Sequence, residues 1–557
     1  MTNDTPPNSG RFRRLVTAVA ALGTVLALAA GCAATPSGGA ESSGEPKAGG
    51  DLVFQIDSLG DSWIPNASSI SSFQGNVWGE VTDKLVYVDA EGNLSPWLAE
   101  SWDQSDDATS FTLHLKEGVT FSDGTAFDAD AVVQNIDYWA NGAPDKGIAR
   151  IGLFPSANFV GAEAVDESTV EVTFSEPTLA FIPTLAYHGS ILVSPKTLDL
   201  SSEEQADLSN FSGTGPFVVD SWADGDHVTI TKREDYNWGP EARGHTGAPY
   251  LDSITYKVVP EASLRTGSIQ SGQADVAYNI APQELSALKD AGLTVEVPRY
   301  LGFVNGFALN TSIAPFNDIN VRQALQHGIN RDEILDTVYT EDWAAAQSFI
   351  QSNVPESTDH SDEFAYDPET SEQLLDEAGW EVGSDGVREK DGERLELTLF
   401  PNPYLATSQA IDELIAQQLS AVGFDVTIEA LDVATFGERV SNNRPNVQAT
   451  EITRSFVDAA TVAGVIVGSE EGDEDWFQLG TSDETLNDYA EQILKSSNLD
   501  DRASVLDELQ QYVLEQAYFV PVTQISQRIY VLSSEVHDVT FNGLAYASFA
   551  TAWLDRA

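Results

Sequence analysis

The 557-residue chain holds one cysteine, Cys32, and seven histidines, and these residue types would carry nucleophilic or metal chemistry if their spacing allowed it. A single cysteine closes no intramolecular disulfide and builds no thiolate cluster. His114, His188, His227, His245, His327, His360 and His537 form neither an H-E-x-x-H run nor a close ligand pair. No G-x-x-x-x-G-K-[ST] loop cradles a phosphate, so the sequence carries no ATPase motif, and no G-x-S-x-G elbow presents a serine. The acidic run Glu470-Glu471-Gly472-Asp473-Glu474-Asp475 offers oxygen ligands of the kind calcium takes. It lacks EF-hand spacing and reads better as a solvated loop. The motifs that bond-breaking needs are missing. The sequence therefore favours a binder over an enzyme such as a surface hydrolase, and it implies no cofactor.

The neighbours of Cys32 give it a different role. Arg11, Arg13 and Arg14 precede an apolar run from Leu15 to Ala30, and small residues lead up to the cysteine. This order describes a secretory signal rather than a spanning helix. Leu28-Ala29-Ala30-Gly31-Cys32 resembles a bacterial lipobox. The resemblance implies that residues 1–32 are a lipoprotein signal and that Cys32 takes a lipid. From 33 to 50 the chain is mostly Ser, Gly, Pro, Ala and Glu, too polar to order itself. Such a tether reaches roughly 20–25 Å. The expected location is the outer face of the cytoplasmic membrane, as in Gram-positive-type lipoproteins. Arg13-Arg14 leaves the choice between general and twin-arginine export open.

The formal net charge is −59, with 28 basic and 87 acidic residues, a surface that repels phosphate backbones and excludes nucleic acid as a partner. The acidity serves solubility, or it attracts cationic cargo; charge alone does not decide. Hydrophobic residues at 42% suffice for folding, and the length calls for two or three domains.

Elements of both kinds are legible. Leu52–Ile56, Phe111–Leu115 and Ile254–Val259 read as strands, and residues 218–231 read as a hairpin around Ala223-Asp224-Gly225-Asp226. Asp128 is a plausible cap for a helix running to Trp139. Helical spacing recurs at Asn320–Ile329, at Asp500–Gln516 and most clearly at Ser408–Val422, which stops at Gly423 before a strand at Val426–Ile428.

Leu94-Ser95-Pro96-Trp97-Leu98-Ala99-Glu100-Ser101-Trp102, the stretch Phe111–Gly124, and Phe127–Val132 follow one another in a fixed order. Gly213-Thr214-Gly215-Pro216-Phe217 comes next, then Gly272-Gln273-Ala274-Asp275-Val276 and Val321-Arg322-Gln323-Ala324-Leu325. In this set and order the chain resembles the family 5 bacterial extracellular solute-binding proteins of ABC importers, of the peptide- and nickel-binding type. Lys116 stands for the family's usual Arg, and Ala126 for its usual Pro.

The resemblance implies an α/β, type II periplasmic-binding-protein-like fold, with two lobes closing by hinge motion and an additional inserted α/β domain. The expected division is 51–84, 211–305 and 524–557 for lobe I, 85–210 for the inserted domain, and 306–523 for lobe II. It also implies a monomer that passes a peptide, or another small solute such as a metal chelate or glycan, to an ABC permease and its ATPase subunits. In oligopeptide-binding relatives an Asp anchors the peptide's amine. Aligned on Ile452–Ala459, that position is Ser455, preceded by Arg454 and followed by Asp458. Either Asp458 or another acid takes the amine, or the cargo has no free amine. Arg454 then meets a carboxylate or forms a structural ion pair. Tyr278 and Asn279 correspond to ligand-approaching residues, with core packing and turn capping as the alternative. Trp63, Phe436 and Arg439 complete the candidate set.

Overall fold

The computed structural model describes residues 44–60, 62–68, 74–466, 483–526 and 528–556. Cys32 with its leader, the tether up to residue 43 and the acidic run 470–475 lie outside the described residues.

Three sheets organise the chain. The largest has seven strands, in the order Thr294–Glu296, Tyr530–Leu532, Val276–Tyr278, Asp51–Ile56, Ser253–Val258, His227–Lys232 and Phe217–Ala223. Asp51–Ile56 lies between two parallel neighbours and buries Leu52, Phe54 and Ile56, as its apolar run requires. The hairpin falls where the sequence puts it: Ala223 pairs with His227 across an Asp224-Gly225-Asp226 turn.

A four-stranded antiparallel sheet joins Ala99–Gln104, Ser110–Leu115, Thr169–Phe174 and Phe159–Asp166. Strict alternation in Ser110–Leu115 turns Phe111, Leu113 and Leu115 inward. The helix Ala129–Asn141 packs on it, its first turn capped by Asp128, which accepts the Ala131 N–H at 2.9 Å.

The third sheet has three antiparallel strands, Ala449–Ile452, Asn305–Leu309 and Phe519–Thr523, in that order. Beside it, parallel strands Glu396–Leu399 and Asp425–Ile428 are joined through the helix Ser408–Ala421, whose Ile411, Ile415 and Leu419 are buried. The chain crosses between the large and the three-stranded sheets twice, at residues 297–304 and 524–529.

The Gly213-Thr214-Gly215 segment shows why glycine is needed there. A Cβ on Gly215 would sit 2.4 Å from the Val81 carbonyl carbon, and one on Gly213 would sit 2.3 Å from the Val81 oxygen. Thr214 between them accepts the Asp83 N–H at 3.1 Å and receives the Trp238 indole N–H on its carbonyl at 3.0 Å. The motif is a backbone-to-backbone seam that locks the helix Gly75–Val81 to the large sheet.

Candidate functional site

Both crossovers border a cavity of about 450 Å³. Tyr300 comes from the first crossover and Arg528 from the second. Tyr187 and His188 enter from the chain beyond the four-stranded sheet, Asn402 and Tyr404 from the segment before the helix Ser408–Ala421, and Phe436, Ser441 and Arg444 from the short helical turns that follow Ile428. The floor is Thr450–Ser455.

Among the described residues the floor begins with an outer strand. Ala449–Ile452 is the outermost strand of its sheet, hydrogen bonded to Asn305–Leu309 on one side. Beyond it the Phe303 N–H donates to the Arg454 carbonyl at 2.9 Å, and the Phe456 N–H to the Leu301 carbonyl at 3.0 Å. Antiparallel alternation therefore turns the peptide groups of Ser455 away from that partner. Gly302 makes this approach feasible: a Cβ there would lie 2.2 Å from the Arg454 oxygen and 2.8 Å from the Ser455 Cα. Gly302→Ala is expected to cost about 1–3 kcal/mol through overpacking. By displacing the floor it also weakens ligand binding about tenfold, equal to about 1.4 kcal/mol. Denaturant melts and titration calorimetry measure this against Gly267→Ala, a helix position with open space around it, which leaves both unchanged or slightly stabilised. Equal behaviour of the two variants would refute the steric role.

The described residues that line the cavity include three arginines, Arg444, Arg454 and Arg528, and one carboxylate, Glu451. Arg528 is buried at 4% exposure. Its guanidinium stacks 4.0 Å from the Tyr546 ring centre and 5.5 Å from that of Tyr300. Among the described residues its Nε and Nη1 have no hydrogen-bond partner. Burial pushes the Tyr187 hydroxyl up to about 12, against the pull of the Arg454 and Arg528 cations and a bond to Ser455. Glu451 is already engaged by Asn305 Nδ2 at 2.5 Å, the Asn402 N–H at 3.2 Å and the Ser408 hydroxyl. Burial raises both Glu451 and its neighbour Asp412 above the usual carboxylate range, Asp412 the more strongly.

Of the residues singled out from sequence, Phe436, Arg454 and Ser455 come together on this wall. The others are placed elsewhere. Trp63 is a core residue, edge-on to Trp78 at 5.4 Å. Tyr278 is buried against Tyr530 at 5.1 Å. Asn279 holds a left-handed turn at φ 54° and donates to Asp57 at 2.8 Å. Arg439 pairs with Glu429 on the outside. Asp458 is not a cavity acid: it is buried in an ion pair with Arg502 at 3.0 Å. Sequence reasoning missed Tyr187, Tyr300, Arg444 and Arg528, which no local motif marks. Glu451 had a signal, an acid inside the buried strand Ala449–Ile452.

Comparison with known proteins agrees with this architecture. The family model described as bacterial extracellular solute-binding proteins, family 5 Middle, matches residues 93–473. The glutathione-binding protein GsiB of Shigella dysenteriae is 28% identical over 448 residues, 79% of this chain and 82% of that protein. The structure of NikA from Brucella suis in complex with Fe(III)-EDTA superposes with a TM-score of 0.78 at 25% identity, over 91% of this chain and 100% of that one. The fold alone is shared with the Helicobacter pylori periplasmic binding protein DppA in complex with the peptide STSA, at TM-score 0.73 and 21% identity over 92% and 99% of the two chains. With two crossovers between its seven-stranded and three-stranded sheets and a family model matching over most of its length, the chain belongs to the bacterial extracellular solute-binding proteins, family 5.

Proposed function

We propose that this protein is the extracytoplasmic receptor of an ABC importer, that it captures small peptides in the cavity between its sheets, and that it has no catalytic activity of its own. The observation that carries the reading is the cavity itself. Its volume of about 450 Å³ lies in the range of small-ligand sites. Among the described residues the floor strand Ala449–Ile452 is the outermost of its sheet, and main-chain bonding to such an edge holds a peptide without regard to its side chains. Phe436, Arg454 and Ser455 are the contacts proposed from both sequence and position. The glutathione-binding relative and the peptide-bound DppA support peptide cargo.

The crossovers at 297–304 and 524–529 serve as hinges between lobe I, built on the seven-stranded sheet, and lobe II, built on the three-stranded one. Residues 85–210 form the inserted domain. The lipobox supports a lipid on Cys32 that holds a monomeric receptor beside its permease. Native mass spectrometry of gently purified protein is expected to show a co-purified peptide. A bound peptide at a hundred times its Kd stabilises the fold by about 2.7 kcal/mol. If no peptide pool raises the melting temperature, peptide cargo is excluded. The Fe(III)-EDTA bound to NikA favours a second reading, a chelate or other polycarboxylate as cargo.

A further inference from the structure

We propose that a second, smaller cavity, beside the helix Gly75–Val81, holds a monovalent anion of chloride size, bound by the Arg243 guanidinium and the Trp78 indole N–H. The site is separate from the solute cavity and does not depend on what the cargo is.

This cavity has a volume of about 40 Å³, and His188 borders both it and the larger one. That is room for a monatomic ion or for very few waters, and too little for sulfate or an organic anion. Trp78 comes from the helix and Arg243 from the turn Glu241–Arg243; they border the cavity and are 1% and 8% exposed. Among the described residues Trp78 Nε1 and Arg243 Nε and Nη1 have no hydrogen-bond partner. Leaving buried donors unmade is costly. Ring contacts hold these groups in place beforehand. The guanidinium lies 4.9 Å from the Trp97 ring centre, and Trp78 is edge-on to Trp63 at 5.4 Å and to Phe211 at 4.6 Å.

The nearby acids do not supply the missing acceptor. Asp83 accepts from the Tyr236 hydroxyl at 3.0 Å and the Trp238 indole N–H at 2.9 Å, and forms no ion pair with Arg243. Glu80 accepts the Phe549 N–H, and its carboxyl, raised by burial to about 8, adds little negative charge near neutrality. Lys84 borders the cavity as a further basic group. The three unpartnered nitrogens are all donors. An anion accepts from each and gives the buried guanidinium a counter-charge, whereas a water among them must also aim two hydrogens of its own.

The test is thermal melting of the full chain with chloride exchanged for gluconate at constant ionic strength, which keeps screening equal. Raising chloride from about 1 to about 100 mM is expected to lift the melting temperature by about 1–3 °C, and bromide does the same. The net charge of −59 repels anions from the surface at large, so a chloride-specific effect points to a built site. Trp78→Phe, which removes the N–H and keeps most of the ring, weakens the response, and Arg243→Gln abolishes it. In crystals grown with bromide, the anomalous map is expected to show a peak between the Arg243 guanidinium and the Trp78 indole nitrogen. The wild-type melts and this map decide the matter even if both variants fold poorly. Equal melting in chloride and gluconate with no bromide peak overturns the proposal and leaves water in the cavity. A peak without stabilisation is an adventitious ion only and overturns it too, as does a chloride response that survives in both variants.

Discussion

Replacing Arg502 with Met lowers the stability of the folded chain by about 3–5 kcal/mol. The guanidinium lies on the helix Leu499–Glu515 with its side chain 4% exposed, and it bridges two acids that are distant in sequence. Glu356 accepts from Nη2 at 2.5 Å and Asp458 from Nη1 at 3.0 Å, with side-chain exposures of 12% and 6%. Burial works against the Arg502 cation, yet Asp458 and Glu356 together hold it above its ordinary range. At Glu356 burial wins over the same pairing and leaves the carboxyl raised. Methionine fills the space but strands two buried acids beside each other. The combined variant Arg502→Met, Glu356→Gln and Asp458→Asn recovers most of the loss, because it leaves no uncompensated charge and keeps the acceptor for the Ala460 N–H. Urea midpoints for the two proteins measure both effects. A single variant as stable as wild type would show that the triad contributes nothing. The consequence reaches the cavity, since Asp458 lies three residues beyond Ser455 on the same segment.

The same triad shows where sequence reading stops. Asp458 was legible as an acid at the right distance from Ser455, but its partners Glu356 and Arg502 are about a hundred residues away in one direction and 44 in the other. Local patterns carry no information about such pairings. What was legible is what period and punctuation determine: Asp51–Ile56, the 217–232 hairpin, the capped helix Ala129–Asn141 and the helix Ser408–Ala421 each sit within a residue or two of expectation. Helical spacing at 408–422 and alternation at 111–115 follow from burying one face, so the pattern is written in adjacent residues. Trp63 illustrates the converse. A large aromatic after a first strand suits a cleft or a core equally, and only the edge-on contact with Trp78 decides for the core. The cavity was half legible. Its floor, Arg454-Ser455, was found because the family's pattern singles out that position. Arg528 and Tyr300 were not, because they sit in irregular crossovers whose importance comes from what the two sheets bring together.

Stability is expected to fall as pH rises from about 5 to 7, and Glu80→Gln is expected to remove much of that slope. Glu80 lies on the helix Gly75–Val81 with no exposure. One oxygen accepts the Phe549 N–H at 2.9 Å, and the other has no partner among the described residues. Burial, opposed by that N–H and by the Arg243 cation, pushes the carboxyl from 4.5 up to about 8. Below pH 4.5 the folded and unfolded chains both hold this proton, so the group is neutral in its effect. Between 4.5 and about 8 the unfolded chain has released it while the folded chain has not, so folding loses about 1.4 kcal/mol per pH unit. Asp83, raised mainly by burial to about 6 despite Arg243 and bonds from Tyr236 and Trp238, adds a loss of the same sign between 3.8 and 6. Glu451 and Asp412, also raised, act in the same direction. Lys84 opposes them, but only above about 7, the value to which burial lowers it. The carboxylates held low by hydrogen bonds, such as Asp207 and Asp235, act only at more acid pH. Glutamine keeps an acceptor for the Phe549 N–H and carries no charge in either state. At pH 7 the variant is therefore more stable than wild type by up to about 3 kcal/mol, while at pH 4.5 the two are equal. Urea midpoints at pH 4.5, 6 and 7 test this directly. A wild-type profile flat across that range, or a variant no more stable at pH 7, would mean that the Glu80 carboxyl is already ionised inside the fold.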